Sequence, residues 1–122
     1  MYKISAQTCF SAAHRIVGYD GPCGKAHGHN WRVRVEVRTR DLDALGIGYD
    51  FKDLKVLLGE ATARLDHEML NEIPPFDTMN PTAENIARQI HDLMKSRIPE
   101  KVEIVHVEVW ESSSYKVTYS EE

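Results

Sequence analysis

An α+β fold, an antiparallel sheet with two helices gathered on one face, follows from three features of the chain. Apolar and polar residues alternate at every second position in residues 31–40 and 102–110, the period of a half-buried strand. Apolar residues recur at helical spacing over residues 51–65 and again over 82–94, as amphipathic helices require. The resulting order is strand, strand, helix, helix, strand, strand, the pattern of hairpins with helices collected on one side.

Taken in order, residues 3–13 are rich in strand formers and predict the first strand. In the second, Trp31, Val33, Val35 and Val37 occupy one face, and Arg32, Arg34, Glu36 and Arg38 the other. So long a charged face is either solvated or lines an assembly interface or channel. Asp50 reads as a helix N-cap, and Asp53 sits in the first turn, where a carboxylate meets the positive end of the helix dipole. Phe51, Leu54, Leu58, Ala61 and Leu65 carry that helix to about residue 65. Ile73-Pro74-Pro75 breaks the chain into a loop. A second helix starts near Thr82, with Ala83, Ile86, Ala87, Ile90, Leu93 and Met94 as its apolar stripe, and Pro99 closes it. Val105, Val107 and Val109 form one face of the next strand, and Tyr115, Val117 and Tyr119 mark its hairpin partner.

At 122 residues the chain is expected to be a single domain spanning 1–122. Its 42% hydrophobic content supports a core without disulfide staples. No apolar run approaches the roughly 20 residues that cross a bilayer, and Met1–Ala6 reads as a strand start rather than a signal peptide. A cytoplasmic location, with no membrane partner, is therefore expected. In a reducing compartment the two cysteines, Cys9 and Cys23, act as separate thiols. The net charge of −4 argues against a nucleic-acid partner while leaving room for a small anionic substrate.

The histidines carry the chemistry. His27 and His29 are one residue apart, which on a strand places both rings on one face. His14 ends the first strand, so a hairpin brings it beside that pair. Three imidazoles converging from strand ends make an open zinc site of the catalytic kind. A closed structural site, with Cys23 as fourth ligand, is the alternative. Cys23 lies in a turn-rich segment beside Lys25, where a cation and a metal favour the thiolate as base or nucleophile. Cys9, within a strand, reads as packing. Asp66-His67 is a carboxylate–imidazole pair of the kind that moves protons. Glu111, at a strand end, reads either as a surface residue or as a bidentate acceptor for a guanidine-like edge. His91 and His106 read as structural or surface residues.

Phe10-Ser11-Ala12-Ala13-His14 and Cys23-Gly24-Lys25-Ala26-His27-Gly28-His29-Asn30 resemble the two zinc motifs of the 6-pyruvoyl-tetrahydropterin synthase superfamily. The segments Asp50-Phe51-Lys52-Asp53-Leu54-Lys55, Leu65-Asp66-His67-Glu68-Met69-Leu70-Asn71 and Asn80-Pro81-Thr82-Ala83-Glu84-Asn85 resemble its later motifs, in the same order. The resemblance runs from Phe10 to Glu111. Only three residues separate Cys23 from His27, which resembles the branch that makes 6-carboxy-5,6,7,8-tetrahydropterin. Ser112 follows Glu111 where the family often has threonine; the hydroxyl survives.

The resemblance implies a tunnelling fold, a four-stranded antiparallel sheet with two helices on one face, its subunits assembling into a β-barrel. It implies a homo-oligomer, commonly a hexamer of two trimers, with active sites between subunits. It assigns Zn2+ to His14, His27 and His29, the catalytic thiol to Cys23, a proton relay to Asp66 and His67, and pterin contacts to Glu111 and Thr82. The implied activity is a zinc-dependent lyase reaction on 7,8-dihydroneopterin triphosphate that releases acetaldehyde and triphosphate, in queuosine and 7-deazapurine biosynthesis. Lys25 and Arg15, flanking the metal ligands, are the candidate triphosphate contacts. Three other readings stay open: the pyruvoyl product, a zinc hydrolase for another heterocycle, and a non-catalytic zinc-stabilised interaction module.

Overall fold

The computed structural model describes residues 1–122. Two long strands, β1 (Tyr2–His14) and β2 (His27–Thr39), pair antiparallel without a break, from Tyr2↔Thr39 at one end to His14↔His27 at the other. Helix α1 (Phe51–Thr62) follows, then a two-residue strand β3 (Glu68–Met69), helix α2 (Ala83–Lys95), and the hairpin strands β4 (Glu103–Trp110) and β5 (Lys116–Tyr119). The sheet order is β3-β1-β2-β4-β5.

The alternation in β2 does what the sequence predicts. Trp31, Val33, Val35 and Val37 are fully buried and meet the apolar stripes of both helices in one cluster of 21 side chains. Leu54, Leu58 and Ala61 come from α1, and Ile86, Ala87, Ile90 and Met94 from α2. Each such large side chain contributes about 1.5–3 kcal/mol relative to exposure. Phe10 on β1 stacks on Trp31, its cross-strand neighbour, at 5.9 Å between centroids. Both predicted N-caps form: Asp50 Oδ1 accepts from the Lys52 N–H at 2.8 Å, and Thr82 Oγ1 accepts from the Asn85 N–H at 3.1 Å.

The structure corrects the predicted fold in four places. The sheet has five strands rather than four, because β3 adds to the edge of β1 in parallel, through Ala12↔Glu68 and Ala13↔Met69. Helix α1 stops at Thr62, whose hydroxyl turns back to the Leu58 carbonyl at 3.1 Å, and a 3₁₀ turn, Ala63–Leu65, follows. In β4 a bulge opposite Glu36/Val37 skips Val105, so Ile104 packs against the core together with Val107 and Val109. Cys9 is exposed; the alternation that buries Phe10 turns it to the outer face of the sheet.

The charged outer face is partly paired within the sheet itself. Glu108, only 4% exposed, receives Arg34 at 2.7 Å and His106 at 3.2 Å, and also Lys116. Burial pushes the Glu108 carboxyl up, but the bonds from Lys116 and Arg34 outweigh it and hold the group below the usual carboxylate range. Arg38 pairs with Glu103 at 2.8 Å, and the Arg32 guanidinium lies 4.0 Å over the Trp110 ring. His91 is buried between Asp92 (3.1 Å) and Glu121 (3.3 Å). No helix is long and apolar enough to cross a membrane.

Candidate metal centre and active site

The unbroken β1–β2 register fixes where the histidines meet. Because His14 and His27 are paired residues at the end of the hairpin, and His29 shares the face of His27, three rings converge at the mouth of the sheet. Their centroids lie 4.6, 4.8 and 5.2 Å apart. Trp31, next along that face, packs edge-on against His14 and His29 at 4.9 and 5.3 Å. Its indole N–H is itself satisfied by the Ala12 carbonyl at 3.2 Å, so the floor under the rings is fixed.

Backbone carbonyls set the tautomers. His14 Nδ1 lies 2.7 Å from the Pro81 carbonyl and His27 Nδ1 lies 2.6 Å from the Lys25 carbonyl. A carbonyl only accepts, so each Nδ1 carries the proton and donates it. The Nε2 lone pairs are then free, and those of His14 and His27 face each other across 3.1 Å. The two nitrogens of a tetrahedral zinc centre lie about 3.3 Å apart. The third nitrogen, His29 Nε2, is buried without any hydrogen bond; Glu111 Oε1 touches it at 3.1 Å but out of line. An orphaned buried imidazole nitrogen beside two opposed lone pairs is what a metal-ligand set looks like when the rings are held ready.

Burial holds His14 below the usual histidine range, against the opposing pull of the Pro81 hydrogen bond and of Glu111. Burial lowers His29 too, again opposed by Glu111. Both rings are therefore kept in the neutral form that binds a metal.

His14, His27, His29 and Glu111 form one group whose ligand atoms all lie within 4.8 Å of one another. Glu111, singled out from sequence for a pterin contact, thus stands at the metal-binding group. Cys23 does not belong to that group, which removes the geometric basis for a closed site of three histidines and a cysteine. The thiol sits half-buried in the 3₁₀ turn Pro22–Gly24, whose Cys23 carbonyl accepts from the Ile16 N–H at 2.9 Å.

Asp66 and His67 do form a pair. His67 Nδ1 lies 3.0 Å from Asp66 Oδ1, and adjacent residues manage this because His67 takes a positive φ of 60°. Both residues lock onto Ser11: its N–H donates to Asp66 Oδ1 at 2.9 Å, and its carbonyl accepts from the His67 N–H. The Ser11 N–H, seconded by the His67 ring, keeps Asp66 below the usual carboxylate range. The His67 ring is 82% exposed, and no hydrogen bond joins the pair to Cys23 or to the three histidines.

Of the remaining candidates, Arg15 opens onto a recess of about 410 Å³ shared with Asp77 and Thr78. Lys25 contributes its backbone carbonyl to His27, and neither cation takes part in a salt bridge within the chain. The Thr82 hydroxyl oxygen is engaged as the α2 cap, so what remains for a ligand is its O–H.

Sequence reasoning missed Pro81 and the asparagines around it. Asn71 and Asn80 each bracket one residue of the segment after His14, the first accepting from the Arg15 N–H and donating to its carbonyl, the second doing the same for Val17. Both lie inside quoted motifs. Nothing in a sequence shows that two amides will reach back 56 and 63 positions.

The sequence profile for 6-pyruvoyl tetrahydropterin synthase matches residues 3–122. The chain is 44% identical over 87 residues to a putative 6-carboxy-5,6,7,8-tetrahydropterin synthase of Archaeoglobus fulgidus, covering 71% of this chain and 70% of that one. It is 31% identical over 147 aligned positions to the 6-carboxy-5,6,7,8-tetrahydropterin synthase of Haemophilus influenzae, covering 99% and 100%. Among solved structures, the Caenorhabditis elegans 6-pyruvoyl tetrahydropterin synthase superposes with a TM-score of 0.87 at 26% identity, over 99% of this chain and 96% of that one.

Proposed function

The chain belongs to the 6-pyruvoyl tetrahydropterin synthase family, an enzyme family acting on pterins, and from that premise we propose that it is a zinc-dependent lyase making 6-carboxy-5,6,7,8-tetrahydropterin. The substrate is 7,8-dihydroneopterin triphosphate, and one water enters as acetaldehyde and triphosphate leave. We read residues 1–122 as one synthase domain and its place as queuosine and 7-deazapurine biosynthesis.

The observation that carries this reading is the convergence of three Nε2 atoms whose partner nitrogens are tied to backbone carbonyls or, at His29, left without a hydrogen bond. His14, His27 and His29 would hold the Zn2+. When bound, zinc supplies a Lewis acid that acidifies the side-chain carbon next to a coordinated oxygen.

The chain's own groups do the rest. Cys23 takes a proton from the side-chain carbon as general base. The Asp66–His67 pair moves a proton at the opposite face, the carboxylate orienting the imidazole through Nδ1 and leaving Nε2 for the substrate. The Glu111 carboxylate accepts from the amino group and ring N–H of the pterin, a bidentate pairing that fixes the ring, and the Thr82 O–H adds a contact. Arg15 and Lys25 bind the triphosphate. Because Asp66–His67 has no hydrogen bond to Cys23 within one chain, each site is completed by a second copy, in a homo-oligomer of two trimers whose paired sheets close a barrel.

The test is to incubate zinc-loaded protein with 7,8-dihydroneopterin triphosphate, identify the pterin by mass spectrometry and assay acetaldehyde in parallel. Carboxytetrahydropterin with equimolar acetaldehyde is expected. A pyruvoyl product without acetaldehyde keeps the zinc and thiol roles but moves the chain to the other branch, the reading favoured by its likeness to the C. elegans enzyme. No turnover of any dihydropterin overturns the proposal.

A further inference from the structure

Asn80 makes contacts in two directions. Toward the hairpin loop, its side-chain amide accepts from the Val17 N–H at 2.8 Å and donates to the Val17 carbonyl at 3.0 Å, copying the paired bonds of a neighbouring strand. Toward the metal group, its peptide bond leads straight into Pro81, whose carbonyl fixes His14 Nδ1 at 2.7 Å. The Asn80 carbonyl is in turn held by the Asn85 side-chain amide at 2.8 Å, and Asn85 is anchored to the Thr82 cap through its own N–H. The Asn80-Pro81 segment is therefore rigid against the first turn of α2.

The loop end of this arrangement reaches Cys23. Ile16 lies beside the bracketed Val17, and its N–H donates to the Cys23 carbonyl at 2.9 Å. From the thiol-bearing turn to the metal-binding imidazole, the route is Cys23 carbonyl, Ile16, Val17, Asn80, Pro81 and His14. Proline at position 81 suits this role, since it has no N–H to compete for and a fixed φ that aims its carbonyl.

We infer that Asn80 is a positioning residue that sets the Cys23 turn relative to the His14 imidazole, so that the base and the metal site keep a fixed spacing. The inference rests on the reading of His14 as a zinc ligand and Cys23 as the thiol base. Asn80 itself touches neither substrate nor metal. Asparagine is required because only an amide offers an acceptor and a donor side by side at this length: aspartate keeps the acceptor for the Val17 N–H but sets a carboxylate against the Val17 carbonyl, and alanine keeps neither.

The experiment uses Cys9→Ser protein, in which Cys23 is the sole thiol. Two quantities are read: zinc affinity by competition with a chromogenic chelator, and the alkylation rate of Cys23 in zinc-free protein. Asn80→Ala is expected to weaken zinc about tenfold, the usual size of an outer-shell loss, and to speed alkylation about threefold or more as the turn is released. Asn80→Asp, which keeps one of the two bonds, should move both readouts the same way by less; it also serves if Asn80→Ala does not fold. Asp50→Ala, which strips the α1 cap away from the site, should lower the thermal midpoint without moving either readout. If wild-type protein binds zinc while Asn80→Ala and Asn80→Asp match it in both readouts, or Asp50→Ala moves them equally, this inference is overturned alone. If wild-type protein binds no zinc, the functional reading falls and the inference falls with it.

Discussion

His14 Nε2 and His27 Nε2 lie 3.1 Å apart with both Nδ1 atoms committed to carbonyl oxygens. Two lone pairs at that distance repel unless a cation or a proton sits between them, and lowering of the His14 pKa by burial works against the proton. About one zinc per chain is therefore expected. His27 ends its strand half-buried, so His27→Ala should cut zinc affinity by about 100-fold or more while the far-ultraviolet spectrum stays that of the wild type. The 21-residue core does not include the histidines. Chelation should therefore leave the fold standing, and a spectrum that collapses on metal removal would favour the structural-zinc reading instead.

Glu111 stands in contact with His29 at 3.1 Å and within the metal-binding group, which sets two roles against each other. As a pterin anchor it leaves the fourth coordination position open; as a fourth ligand it closes the site. Glu111→Gln keeps the shape but loses the acceptor pair for an amino group and a ring N–H. The expected outcome is unchanged zinc content with kcat/KM down by about 10²-fold or more, of the order of one buried charged hydrogen-bond pair. Zinc lost together with activity would make Glu111 a ligand.

Much of this was legible in the sequence because it depends on period. The two-residue alternation in β2 gave the buried valines, and the same period put His27 and His29 on one face. Three things were not legible, each for a tertiary reason. Strand β3 is two residues long and pairs with β1 only because Asp66 and His67 both lock onto Ser11. The bulge at Val105 breaks an alternation that reads perfectly on paper, and Ile104 takes the core position. The proton on His14 is placed by a carbonyl 67 residues away, a relation with no local signal. Residue roles at the site were readable from motif likeness; the fixed tautomers that make those roles physical were not.

The lowered His14 and His29 pKa values give a signed pH dependence. Below about pH 6.5 an unfolded histidine takes up a proton that these two folded, buried rings resist. The unfolded chain then binds more protons than the native one, so stability falls as pH falls below that value, and these groups add nothing above it. Urea midpoints of zinc-free protein between pH 7.5 and 5.5 should therefore decline toward acid, and His29→Asn should flatten the decline. Within that window Asp66 and Glu108, whose pKa values are lowered, stay ionised and do not contribute. A midpoint that rises on acidification, or an unchanged slope in His29→Asn, would contradict the assignment.

Asp66 and His67 pair with each other at 3.0 Å and with Ser11, yet no hydrogen bond ties them to Cys23, and the His67 ring is largely exposed. If Cys23 of one copy works with His67 of another, the two defects lie in different halves of a shared site. Cys23→Ala and His67→Ala should each keep zinc and each lose turnover by about 10²–10⁴-fold, the range for removing a general acid or base. Dissociated, mixed in equal amounts and reassembled, they should recover about one quarter of wild-type turnover, since random assortment gives each site a one-half chance of an intact residue from each side. The double variant Cys23→Ala/His67→Ala mixed with wild type distinguishes this from simple dilution, because it introduces both defects on one chain. Recovery absent from the single-variant mixture, with mixed oligomers demonstrated by mass, would place thiol and relay in the same chain and require the exposed His67 ring to swing toward Cys23 during turnover.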